Sequence, residues 1–397
     1  MKLSILLIVL AVLSPATAVV HAENESLASL FTNSANQRAA IPRRASVIFI
    51  ACRGLALSDL SCYGQTNFQT PNLDRLAGEG ARFTDYRAGG DDLPQAQAAL
   101  MTGSSAPFTA AEETLASRLR VSGYHTGLIG EWALGSEPWT QGIDEFAGFL
   151  NEEDADNYYS EFIWRYAPRN THGVSNQALH NLQGREQIYA NAAGQKGTFI
   201  PDLLLSAAGN FVRANAPGLG NRYQPFFLMV NLPLPHTVTP GRDDYPVPTD
   251  APFTGENWPQ AAKNRAALLA RLDEGMARLF DQLQKLGLTN NLAIFLAGAV
   301  APKPFADTNL NFLKLTGEVR GGTSPDRLRV PMIVRWPGHV PPGRVISTEC
   351  SAADFAPTAA EIAYLKPVPS FTGVSMLPTL LSISRTNAPG KLVKARQ

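Results

Sequence analysis

From Ser46 onward the chain alternates short apolar runs with longer stretches whose apolar residues recur every three or four positions. Ser46 to Ala51, Thr126 to Ile129, Phe226 to Asn231, Leu292 to Leu296 and Val330 to Trp336 are runs of strand length with little polar character on either alternate face. Such runs predict strands buried on both sides within a parallel sheet. Helical patterns lie between them. In Thr70 to Gly80, Thr70 suits the N-cap, Pro71 the first turn and Gly80 the stop, while Leu73 and Leu76 share a face. Thr109 to Val121 and Asp354 to Ala363 predict two further helices. In Ala261 to Leu286 a stripe of Leu268, Leu272, Met276, Leu279, Leu283 and Leu286 ends at Gly287, and core packing accounts for it. Strands alternating with helices predict an α/β fold, a mostly parallel central sheet sandwiched by helices, with ligands at the carboxyl ends of the strands.

The two ends of the chain break this pattern. Lys2 precedes an apolar run from Leu3 to Leu13, and Ala16-Thr17-Ala18 and Val20-His21-Ala22 both suit a signal peptidase. Residues 1–22 therefore read as a signal peptide and the protein as exported, periplasmic or secreted; the run is short for a membrane span. Residues 23–44 read as a flexible lead, 45–381 as one large domain in which 151–220 resembles an insertion, and 382–397 as a polar tail. The 34 basic and 34 acidic side chains cancel, so no global field recruits nucleic acid or an anionic membrane. Export would permit disulfides, but the cysteines are three, Cys52, Cys62 and Cys350, and no pairing is singled out.

Several strings carry more than periodicity. TPNLDRLAGEGARFT (Thr70 to Thr84), a few residues after Cys62-Tyr63-Gly64, resembles the sulfatase family of the alkaline-phosphatase-like superfamily. GYHTGLIGEWALG (Gly123 to Gly135) is similar to that family's GYxTxxxGKWHLG, and GIDEFAGFL (Gly142 to Leu150) to its GFDEFYGFL. Leu232 to His236, RVPMIVRWPG (Arg329 to Gly338) and GVSMLPTLL (Gly373 to Leu381) match further family segments in the same order. The resemblance implies the alkaline-phosphatase-like fold. It also implies a smaller antiparallel subdomain after Leu381, where about sixteen residues remain, so that subdomain is expected to be largely missing.

The resemblance further implies a calcium ion on oxygen ligands and a nucleophile matured to formylglycine. At the positions that would supply them the chain differs. The paired aspartates after the first strand correspond to Arg53 and Gly54, and the later Asp-Asn pair to Gly298 and Ala299. Counting back from AALMTG (Ala98 to Gly103) puts Leu93 at the nucleophile and Gln97 at the family arginine; one inserted residue would put Asp92 there instead, and a carboxylate can attack in principle. The family lysine and histidine of GKWH correspond to Glu131 and Ala133, and an anion-binding lysine to Arg320. His236 is the catalytic-type residue retained, and Asp59 reads as a turn cap. The candidate site residues are thus His236, Arg320 and Asp92, with no metal and no cofactor expected.

Two readings follow. The first is a non-catalytic protein on a sulfatase scaffold that binds a sulfated glycan or other sulfate ester. The second is a sulfuric- or phosphoric-ester hydrolase with an unorthodox site. The exchange of signs at Arg53 and Glu131 raises a geometric question: either these are unrelated surface substitutions, or both enter the old pocket, where a guanidinium would stand in for the cation and take Glu131 as a planar partner.

Overall fold

The computed structural model describes residues 44–156, 158–167, 182–216, 224–236, 245–301 and 328–382. The expected signal peptide, the lead up to residue 43, Arg320 and the tail beyond residue 382 lie outside the described residues. One sheet comprises β1 (Ser46–Arg53), β2 (Ala81–Arg87), β3 (His125–Glu131), β4 (Glu145–Phe149), β5 (Phe162–Ala167), β6 (Leu182–Gln187), β7 (Phe226–Leu232), β8 (Leu292–Val300), β9 (Arg329–Arg335), β10 (Arg344–Ile346) and β11 (Cys350–Ser351). Its order is β10-β2-β9-β8-β1-β7-β3-β4-β5-β6, with β11 also on β2. The centre, β8-β1-β7-β3-β4, is parallel, and antiparallel pairing enters at β9 on one side and at β5 and β6 on the other.

Seven helices of the described residues flank it: α1 (Pro71–Gly78), α2 (Leu93–Thr102), α3 (Leu115–Val121), α4 (Ile200–Ala214), α5 (Gln260–Lys285), α6 (Phe355–Ile362) and the single turn α7 (Leu377–Leu380). The period of two along β1 sorts its side chains between two apolar layers. Val47, Phe49 and Ala51 enter the layer with α2, α3 and α6, while Ile48, Ile50 and Cys52 enter the layer with α1, α4 and α5. The predicted mostly parallel sheet sandwiched by helices is what the structure shows, and the leucine stripe of α5 is core from Leu268 to Leu283.

Two local expectations change. The helix predicted from Thr109 begins only at Leu115, because Thr114 and Ser117 form a capping box that fixes its first turn there. Thr70 does not cap α1 with its side chain, which is bonded to Ser61 instead. The first N–H groups of α1 are met by Asp273 of α5, which accepts from the Asn72 and Leu73 backbones at 3.0 and 2.8 Å. The described part of residues 151–220 includes β5, β6 and α4, and α4 buries Leu204, Ala208 and Val212 in the layer it shares with α5. Cys52 and Cys62 are thiols, and burial pushes Cys52 up to about 12.

One polar network lies inside the second layer. Arg265 of α5 meets Asp59 through Nε at 3.0 Å and Nη2 at 2.6 Å, with both side chains fully buried. Asp59 also accepts from the Ala56 backbone at 2.8 Å, so the turn cap read from the sequence is at the same time an ion-pair partner. The remaining Arg265 donors reach the Gly54 and Pro235 carbonyls and the Tyr245 hydroxyl, at 3.1, 2.9 and 3.1 Å. All this ties the ends of β1 and β7 to α5. Removing one partner of such a pair leaves an uncompensated buried charge, at a cost of about 3 to 5 kcal/mol. Arg265→Ala is therefore expected to lower the urea midpoint by that equivalent at unchanged m value; a loss under about 1 kcal/mol would show that the network contributes little.

Candidate functional site

Arg53 ends β1 and Glu131 ends β3, with β7 between them. Neighbouring strands lie about 4.8 Å apart, so roughly 10 Å separates the two backbones, a gap that one long basic and one long acidic side chain can close. They do. Arg53 Nη2 lies 3.0 Å from Glu131 Oε1, and the side chains are 4% and 1% exposed. The two substitutions are therefore neither unrelated nor on the surface. Two more carboxylates arrive from the loop after β4: Glu152 accepts from Arg53 Nη1 at 2.8 Å, and Asp156 accepts from Nη2.

One guanidinium thus faces three carboxylates. Glu152 and Asp156 hold the aligned hydrogen bonds, and both are partly exposed, at 37% and 24%. Glu131 has the Coulomb attraction of Arg53 at contact distance, but among the described residues neither of its oxygens has an aligned hydrogen-bond donor, so the bidentate pairing considered from the sequence does not form. Burial is the larger effect on Glu131, and Glu152 and Asp156 add to it; together they outweigh Arg53 and push this carboxyl up to about 8. Burial pulls the Arg53 guanidinium down, but the three acids overcome it and its net shift is upward. Arg53 is thus hydrogen-bonded to Glu152 and Asp156 beside a Glu131 carboxyl that burial raises.

The backbone around the cluster is fixed by amides. Asn231 of β7 and Gln97 of α2 both donate to the Glu131 carbonyl at 2.9 Å, and Gln97 accepts from the Ala133 N–H at 2.8 Å. Tyr158, buried and held at φ 59°, donates to the Pro233 and His236 carbonyls at 3.1 and 2.6 Å. This ties the loop that carries Glu152 and Asp156 to the turn after β7.

The family described as Sulfatase matches residues 46–364. The chain belongs to the sulfatase family. Steryl-sulfatase of Mus musculus is 26% identical over 399 residues, an alignment covering 81% of this chain and 62% of that protein. N-acetylglucosamine-6-O-sulfatase of Bacteroides thetaiotaomicron is 24% identical over 450 residues, covering 94% and 77%. A sulfatase structure from a Pseudoalteromonas species superposes with a TM-score of 0.65 at 20% identity, covering 90% of this chain and 75% of that one, which shows the fold. This sulfatase chain thus spans less than two thirds of the length of steryl-sulfatase.

A sulfatase metal centre does not fit the residues present. A Cβ built on Gly298 would come within 2.7 Å of both the Leu55 carbonyl oxygen and Val330 Cβ, so the position is too tight for a carboxylate side chain. Gly54 adopts φ +79° with the His236 backbone against it, and Ala299 is 5% exposed. Among the described residues no group of three or more His, Cys, Asp and Glu is arranged to hold a metal ion. The nucleophile positions are equally occupied by structural roles. Leu93 is buried in the first apolar layer, and Asp92 is an exposed N-cap of α2 that accepts from the Gln95 N–H at 2.8 Å. His236 is partly buried beside Gly54, and Arg320 lies outside the described residues. Glu152 and Asp156 were not singled out by the sequence reading; the acid-rich run directly after GFL was their one signal.

Glu131 gives the site a pH signature. Its carboxyl in the folded state titrates near 8 against 4.5 ordinarily, so between those values the folded chain holds a proton the unfolded chain has released. Its contribution to stability is then complete below pH 4.5 and is lost as pH rises through 8. Melting curves from pH 5 to 9 should show wild type declining relative to Glu131→Gln as pH rises; parallel curves would mean Glu131 is ionised throughout.

Proposed function

We propose that this chain is an exported, catalytically inactive sulfatase that binds a sulfated ligand without turning it over. The observation that carries the reading is the Arg53 guanidinium, 4% exposed and surrounded by Glu131, Glu152 and Asp156, where the resemblance places a metal and the sulfate it neutralises. An oxyanion entering this pocket would displace a salt-bridged side chain and meet up to three carboxylates. The energetics point the same way. Loss of one oxyanion donor costs about 2.7 to 4 kcal/mol of transition-state stabilisation in a hydrolase, and a catalytic metal supplies several kcal/mol more.

Export rests on the apolar run from Leu3 to Leu13 and the small-residue sites after it. No helix of the described residues is long and apolar enough to cross a membrane. A sulfated ligand is supported by kinship with enzymes such as N-acetylglucosamine-6-O-sulfatase, and the acidic character of the strand-end pocket directs that ligand elsewhere on the surface. The hydrolase reading keeps one argument, the position of His236 beside Gly54 at the pocket. Turnover and metal dependence separate the two readings. Wild type and His236→Ala are expected to hydrolyse 4-nitrophenyl sulfate at the same background rate, and chelator followed by calcium is expected to leave Tm unchanged. Saturable hydrolysis by wild type that disappears in His236→Ala, or a chelator-induced loss of Tm restored by calcium, would establish the enzyme.

A further inference from the structure

Outside the strand-end pocket, a cleft of about 330 Å³ lies between the start of α4 and the flank of α5. That volume is at the small end of ligand-binding pockets. Its charged lining residues are Lys196, Arg271 and Asp202, accompanied by the hydroxyls of Thr198 and Ser206. The acid is already committed. Asp202 accepts from Arg271 through Nε at 2.9 Å and through Nη2, and its other oxygen lies 4.0 Å from Arg278. Two guanidinium groups therefore share one carboxylate, and Lys196 adds a further positive charge. Lys196 is exposed, its Nζ sits 5.6 Å from the centre of the Tyr159 ring, and it has no carboxylate partner among the described residues. Arg271 in turn stands over Phe199 at 5.3 Å, so both cations are braced by aromatic rings and not free to swing at random.

The contrast with the ancestral pocket is one of sign. There, three acids surround one base; here, two guanidinium groups meet one acid, and Lys196 lines the same cleft. The two places are linked by a single stretch of chain, since the loop that supplies Glu152 and Asp156 continues into Tyr159, which forms a wall of the cleft. We propose that this cleft is an anion-recognition site for the monoester group of a small sugar, a sulfate or phosphate ester held by Lys196 and Arg271, with the Thr198 and Ser206 hydroxyls available to the sugar. No bond is made or broken there. The inference rests on the reading of the chain as a binder of a sulfated ligand, and it says where that ligand is held.

Calorimetric titration of the full chain with glucose 6-sulfate, glucose 6-phosphate and glucose tests it. The expected result is binding of the sulfate ester, none of glucose, a roughly tenfold loss of affinity in Lys196→Glu, as for a hydrogen bond to a charged group, and recovery in Lys196→Arg. Lys196 is exposed, so the variant should keep the wild-type Tm, which is checked alongside. Binding of the sulfate ester that Lys196→Glu leaves unchanged would overturn the cleft while sparing the sulfated-ligand reading. Binding of the phosphate ester alone, lost in Lys196→Glu, would uphold the cleft and remove that reading. Absence of binding by either ester at millimolar concentration would overturn both, and the turnover assay would still stand by itself.

Discussion

A guanidinium taken out of water at the end of a parallel sheet has to be neutralised where it stands, and that constraint organises one whole end of this molecule. Arg53 cannot retreat, because its strand is bonded to β7 and β8 on both sides and both faces of the sheet are covered by helices. Counter-charge must come to it. Glu131 arrives from two strands away, and Glu152 and Asp156 from a loop that Tyr158 fastens to the turn after β7. The geometry next door has a similar logic: Asp59 and Arg265 neutralise one another, the remaining Arg265 donors hold the carbonyls of Gly54 and Pro235, and Asp59 accepts from the Ala56 N–H. The strand ends are thus set by ionic and amide contacts, while the apolar layers set the strands themselves.

This division explains what could be read in advance. The strands announce themselves because burial on both faces requires unbroken apolar runs, and α5 because its leucines repeat at helical spacing over many turns. The sign exchange at positions 53 and 131 was legible because each falls within a string that the family resemblance anchors. The acids that complete the cluster were not, since Glu152 and Asp156 sit in an irregular loop about a hundred residues from Arg53, where no periodicity fixes a direction. The cap of α1 escaped for the same reason: Asp273 looks like any acid on a long helix until the fold lays it over residues some two hundred positions earlier. The start of α3 was misplaced because a capping box at Thr114 and Ser117 decides locally what composition only suggests.

The charge balance of the cluster also accounts for Glu131 being the odd member. Of the three acids it is the most deeply buried and the one without an aligned donor among the described residues, and burial raises its carboxyl to about 8. A proton held by Glu131 spares the site a third negative group beside its one buried guanidinium.

The close packing around Gly298 limits which side chains the strand ends can accept. Restoring an acid there would drive its Cβ into the Leu55 carbonyl oxygen and Val330, and restoring one at Arg53 would leave a fourth carboxylate among three with no cation present. Each of these single changes therefore lands on a less stable chain. Strand ends packed this way accept a pair of new acids only through several changes made together.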